Sequence, residues 1–350
     1  MNAKTKKIRG GESLRNESFD TLKFFLAFFI IIIHTGFTGV VGVGIKAVSR
    51  IAVPLFFMIT GYYLPPMTDE KLKKYFCKVF CLTIISTLFY LLLDYVGSIA
   101  GEYTFNWFIQ TFSMKNICYW LLINSIGCKG VHLWYLYALL YVLIIIYVAR
   151  KEKKISLLYK ILPLLFLGNY ILSYFGVGTY RNFLFTGLPY VLLGYLFREN
   201  ELQLKLYSIR YRRFILGFIL VCVGLAAEML VYNYTGTKLI RDHYLFTLPM
   251  AICVFALCNK YSHWGAGSYL SIIGRKYSAN IYILHMFVIS LINYVLRFFL
   301  GVEMQQQLAQ NSLFKNSFPF LVFGVTLFIV FILDKSWSLF MQKKTANAMQ

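Results

Sequence analysis

Aspartate, lysine and histidine follow one another through the first apolar stretch of the chain, as Asp20, Lys23 and His34. Ionisable groups inside an apolar, membrane-length segment are expensive, so each is a functional candidate. Lys23 and His34 are eleven residues apart. On an α-helix that is roughly 16 Å along the axis and close to three whole turns, so both project from the same side. Lys23 then stands near an inner surface and His34 lies deeper, toward the outer half. A fixed cation suits an anionic group, and an imidazole titrating near neutrality suits a general base. Plainer readings stand beside these: Lys23 as an interfacial lysine paired with Asp20 three residues earlier, and His34 as a histidine hydrogen-bonded inside a helix bundle.

Three further runs carry candidates. Arg50 opens R-I-A-V-P-L-F-F-M-I-T-G-Y-Y, in which Pro54 can bend a helix and Gly61 permits close helix contact. Arg50 is a cation able to hold an anion or a carboxylate, or else an outer-interface anchor. His132 and Trp134 head H-L-W-Y-L-Y, at the outer interface, where Trp134 also suits an aromatic belt. His285 ends S-A-N-I-Y-I-L-H, about two turns into the membrane from the inner face, as a site residue or a satisfied core histidine. Asp94 and Glu228 lie near outer helix ends, suited to pair with Lys or Arg, whereas His243 and His263 fall in loops and receive no role. The seven cysteines show no C-x-x-C pair and no zinc-like spacing, so no metal site is expected.

The elements that must carry these residues follow from composition. Of the 350 residues 59% are hydrophobic and only 14% charged, against about 25% charged in soluble domains. Mean hydropathy is +0.64. Ten stretches are long and apolar enough, or nearly so, to cross a bilayer: 19–38, 45–64, 79–96, 132–149, 155–173, 182–198, 214–232, 244–258, 279–299 and 318–337. The eighth is short, and Gly187, Pro189 and Gly194 interrupt the sixth. The net charge of +21 does not point to nucleic acid, because the basic residues sit in short clusters between apolar runs. With the N-terminus inside, most of the 35 Lys and Arg residues fall on inner segments, as the positive-inside rule requires.

The expected fold class is therefore an all-α integral membrane protein, with about ten transmembrane helices in one bundle and both termini cytoplasmic. Residues 1–18 form a cytoplasmic N-terminal segment, 19–340 a polytopic membrane domain, and 341–350 a cytoplasmic tail. The first apolar run is expected to stay as an anchor rather than be cleaved. Residues 97–131, with Trp107 and Trp120, mix apolar with polar residues and suit one or two interfacial helices or a re-entrant segment.

The D-x-x-K-x10-H run ending at His34, the R-x-x-x-P-x-F-F-x-x-x-G-Y run from Arg50, the H-L-W-Y from His132 and the Y-I-L-H ending at His285 resemble the membrane acyltransferase-3 family, in order and over nearly the whole chain. That family usually has arginine where Lys23 stands, and serine where Thr60 precedes Gly61. The resemblance implies an O-acyltransferase of the cell membrane. Such an enzyme passes an acyl group, acetyl above all, from cytosolic acyl-CoA to a hydroxyl of a cell-envelope glycan or similar acceptor. On that reading His34 is the general base and Arg50 holds an anionic group or the charge on the reacting carbonyl. Lys23 binds donor phosphates, His285 lines the site or contacts the donor, and His132 and Trp134 belong to the acceptor side.

The chain is also similar to the membrane half of the membrane-bound serine racemases of vancomycin resistance, in which an acyltransferase-3-like domain is joined to a soluble racemase domain. This resemblance implies the handling or transport of L-serine, with a soluble partner or C-terminal domain outside this chain. The exchange of arginine for Lys23 favours this alternative, since it weakens the acyl-CoA contact.

Overall fold

The computed structural model describes residues 15–100, 104–124, 130–176, 181–199, 210–235 and 243–348. Eight of the 35 Lys and Arg residues weighed for topology lie outside them (Lys4, Lys6, Lys7, Arg9, Lys129, Lys205, Lys238 and Arg241), as do Cys128 and most of the 1–18 segment. Among the described residues the secondary structure is helical throughout. Each of the ten apolar stretches coincides with helix. Eight helical stretches are long and apolar enough to cross a membrane. Two shorter ones, Leu188–Glu199 and Thr247–Lys260, complete the ten. Wide apolar faces remain uncovered, including Ile85, Leu88 and Leu92 on one helix, Leu220 and Val223 on another, and Phe328 and Phe331 on a third. A protein in water could not leave such surface bare, so this is a multi-pass bundle clothed by lipid.

The first helix, α1 (Glu17–Thr35), starts where Asn16 accepts a hydrogen bond from the Phe19 amide, a side-chain N-cap. The expected second span is broken into α2 (Gly39–Ser49) and α3 (Ala52–Tyr63). Arg50 and Ile51 form the joint. Pro54, in the first turn of α3, has no N–H to offer the Arg50 carbonyl, so the helix parts four residues before the proline.

Next come α4 (Asp69–Ala100) and the short α5 (Thr104–Thr111) and α6 (Met114–Ile123). A turn of 3-10 helix, Val131–Leu133, leads into α7 (Trp134–Lys151), which is followed by α8 (Ile155–Tyr174). A π-helical turn at Phe183–Gly187 opens onto α9 (Leu188–Glu199). The chain ends with α10 (Tyr211–Tyr234), α11 (Thr247–Lys260), α12 (Tyr269–Gln310) and α13 (Ser312–Ala348).

Two glycine-mediated crossings set the site. A Cβ on Gly61 of α3 would run into the Val191 carbonyl, and one on Gly194 of α9 into the Met58 carbonyl, so α3 and α9 touch backbone to backbone. A Cβ on Gly274 of α12 would likewise meet the Asp20 carbonyl of α1. α1 packs along α12 for most of its length.

α12 starts ten residues earlier than the apolar pattern suggests, because Ser268 caps it by accepting from the Ser271 amide and the polar turn Gly274–Lys276 is helical. His285 is therefore carried deeper than two turns and comes level with His34. Among the described residues, the acidic groups near helix ends take neutral donors. Asp94 accepts from the Trp107 indole at 2.8 Å. Glu228 accepts from the Tyr232 hydroxyl at 2.7 Å and the Leu245 amide at 2.9 Å.

Candidate active site

Lys23 and His34 stand on α1 as the spacing requires, and they open into different cavities. The Lys23 cavity has a volume of about 430 Å³. Lys23, Lys78 of α4 and Arg275 of α12 supply its cations, and Thr60, Tyr63, Tyr75, Tyr135 and Ser278 give it hydroxyls. The His34 cavity measures about 240 Å³ and is lined by His34, Arg50, Pro54, His132, Trp134, Arg181, Thr186 and His243. Ile30, Val53 and Tyr282 line both, so the two cavities lie back to back with these three side chains as their partition.

At the first end, Lys23 Nζ lies 3.2 Å from Asp20 Oδ1, and Arg15 Nε lies 2.7 Å from the other carboxylate oxygen. Asp20 is buried and both cations are partly open, so the carboxylate anchors the foot of α1 while Lys23 keeps access to the cavity. The i, i+3 pairing with Asp20 is thus present together with the cavity position.

At the second end three imidazoles meet. The His34 and His285 ring centroids are 5.1 Å apart, and those of His285 and His132 are 5.0 Å apart. His34 is exposed to its cavity. His285 has no exposed surface and lines neither cavity, so a direct contact with a donor is closed to it in this arrangement. Its Nδ1 faces the Tyr282 carbonyl at 2.6 Å. His132, expected at an interface, is buried because the 3-10 turn before α7 tucks it against α12. Its Nε2 lies 3.1 Å from the Ile283 carbonyl, and its own carbonyl accepts from the Tyr282 hydroxyl. Trp134 and Arg50 both line the His34 cavity.

Several participants escaped the sequence reading. Tyr90 of α4 donates to the Ile283 carbonyl at 2.6 Å and accepts from the Phe287 amide at 3.1 Å, so its hydroxyl sits inside the backbone ladder of α12 beside His285. Arg181 belongs to none of the motifs quoted above, and His243 received no role from the sequence; both line the His34 cavity. His243 is in fact buried, with Nε2 3.3 Å from the Tyr190 hydroxyl. Lys78 and Arg275 belong to none of the motifs quoted above, though each stands at the cationic end of an apolar helix.

Chemically, one end offers three cations and several hydroxyls to a polyanion. The other offers an accessible imidazole among guanidinium groups, with no carboxylate among the described lining residues. The family model of acyltransferase-3, described as an acyltransferase domain, matches residues 16–335. No curated protein and no solved structure matches the chain.

Proposed function

The chain belongs to the acyltransferase-3 family and is a membrane acyltransferase; from that premise we propose that it moves an acyl group, acetyl above all, from cytosolic acyl-CoA to a hydroxyl of a cell-envelope glycan or similar acceptor. The observation that carries this reading is the pair of back-to-back cavities parted by Ile30, Val53 and Tyr282. Acyl-CoA is polyanionic at one end and reactive at the other, joined by a thin chain. The Lys23 cavity suits the phosphates, with Lys23, Lys78 and Arg275 as point charges or a fork. The His34 cavity suits the thioester and the acceptor.

Lys71, Lys73, Lys74, Arg150, Lys151, Lys260 and Lys276 flank helices at the Lys23 end, which supports the reading of that end as cytosolic, with both termini in the cytoplasm of a cell-membrane protein.

In the proposed reaction His34 takes the proton of the acceptor hydroxyl as its oxygen attacks the thioester carbonyl. A C–O bond forms, the C–S bond breaks, and the proton passes to the leaving CoA sulfur, giving an ester and a free thiol. Arg50 stabilises the charge that gathers on the carbonyl oxygen. Trp134, in the first turn of α7, faces the acceptor, with the His132 ring from the 3-10 turn in the wall beside it. The test is reconstitution in vesicles with acetyl-CoA on the Lys23 side and hydroxyl acceptors on the other. Thiol release that depends on the acceptor is the expected result. Thiol release indifferent to every hydroxyl acceptor would remove the O-acyl assignment.

A further inference from the structure

Among the described residues no carboxylate lines the cavity beside His34 to orient it, yet a base needs one ring nitrogen fixed as a donor for the other to be reliably bare. The fully buried His285 has the complementary property. A carbonyl oxygen only accepts, so the 2.6 Å contact between His285 Nδ1 and the Tyr282 carbonyl puts the ring proton on Nδ1. The neutral ring then has its lone pair on Nε2, and that nitrogen is enclosed with no hydrogen-bond partner. An acceptor left empty in a buried position is costly.

Two rings adjoin it. His132 spends its Nε2 proton on the Ile283 carbonyl, which leaves its Nδ1 as another acceptor with nothing to donate. His34, 5.1 Å away centroid to centroid, is the adjoining imidazole whose N–H is not committed to a backbone carbonyl.

We propose that His285 is a positioning residue for His34: its Nε2 accepts a hydrogen bond from one ring N–H of His34 and leaves the other His34 nitrogen as the base facing the cavity. This rests on the assignment of His34 as general base. A modest rotation of the His34 ring forms the bond. A neutral imidazole, itself fixed by the α12 backbone, then does what a carboxylate does in a hydrolase triad. Tyr90, set into the helical ladder on either side of His285, holds that stretch of α12 in place.

The test uses the whole protein in lipid nanodiscs with 15N-labelled histidine, assigned with His34→Ala. In the wild type His34 is expected as one tautomer, its N–H coupled to His285 Nε2. His285→Phe keeps the volume but removes the acceptor, so both His34 tautomers should appear and donor-saturated turnover should fall about 10²-fold with little change in KM for acetyl-CoA. His285→Gln keeps an acceptor and should retain most of the activity. Three results overturn the proposal: both tautomers of His34 in the wild type; a His34 tautomer indifferent to His285→Phe; or equal turnover in the Phe and Gln variants, the mark of a packing role. Near-normal turnover in His34→Ala overturns the base assignment instead, and the two failures are distinct because the tautomer signal requires no catalysis.

Discussion

Lys23 and His34 belong to one helix and yet open into two separate cavities, whose shared wall includes Ile30 of that same helix. α1 is thus a ruler laid between a cationic chamber and a histidine chamber. The separation of about 16 Å is set by helical rise alone, and a donor spanning it must be long and thin in its middle.

His34→Ala is expected to reduce acyl transfer by about 10²- to 10⁴-fold, the usual cost of losing a general base. The protein should remain inserted and folded, because His34 is exposed to a cavity rather than packed in the core. Acceptor-dependent thiol release from acetyl-CoA, measured on protein of unchanged thermal stability in detergent, checks it. Near-normal transfer would make another group the base.

Lys23→Ala should raise KM for acetyl-CoA about tenfold, from the loss of a charge-assisted contact of 1.5 kcal/mol or so, with little change in kcat. Lys23→Arg should match the wild type or bind the donor more tightly, since a guanidinium reaches a phosphate through two N–H groups. Asp20, 3.2 Å from Lys23 Nζ, can hold either cation. An unaltered donor KM in Lys23→Ala would remove Lys23 from the donor site.

Gly61→Leu and Gly194→Leu should each destabilise the bundle by about 1–3 kcal/mol or more, because the new side chain meets a backbone carbonyl across the α3–α9 crossing. Gly217→Leu on α10, where a Cβ meets nothing within 4 Å, is the control and should be tolerated. Thermal unfolding followed by tryptophan fluorescence in detergent compares the three. Equal midpoints would mean that α3 and α9 do not pack as closely as their glycines allow.

The topology and the class of activity are open to two direct measurements. Reporter fusions after Gln350 and within 150–154 should read as cytoplasmic, and fusions within 97–131 as external. Vesicles holding the purified chain should not accumulate labelled L-serine in the absence of acyl-CoA. Uptake under those conditions would restore the serine-handling alternative to first place.

The sequence reading reached the helices readily and the site in part, and the division has a physical cause. Apolar length is a local property, so all ten stretches could be found by scanning. The pairing of Lys23 with Asp20, and the common side of Lys23 and His34, follow from the period of a single helix. The approach of His34 to His285 does not: it depends on Gly274 letting α12 close on the α1 backbone, and on α12 starting at a serine cap that an apolar window passes over. Nor could any local pattern place Arg181, His243 or Tyr90, whose positions are set by partners far away in the chain. The burial of His132 is out of reach of a local pattern for the same reason. Its neighbours in sequence are interfacial, and its neighbours in space are Tyr90, Tyr282 and His285.

The partition of Ile30, Val53 and Tyr282 has a bearing on the cell's energy supply. Two chambers meeting end to end inside a bilayer would conduct protons and ions if their common wall were lined by water. Two branched aliphatic side chains and a tyrosine whose hydroxyl is occupied by the His132 carbonyl give ions no foothold there. On the proposed reading, a wall without polar footholds is expected to act as an electrical insulator between the two chambers. Small substitutions in that wall, such as Val53→Gly, should therefore register first as proton leak in energised vesicles, before any change in the rate of transfer.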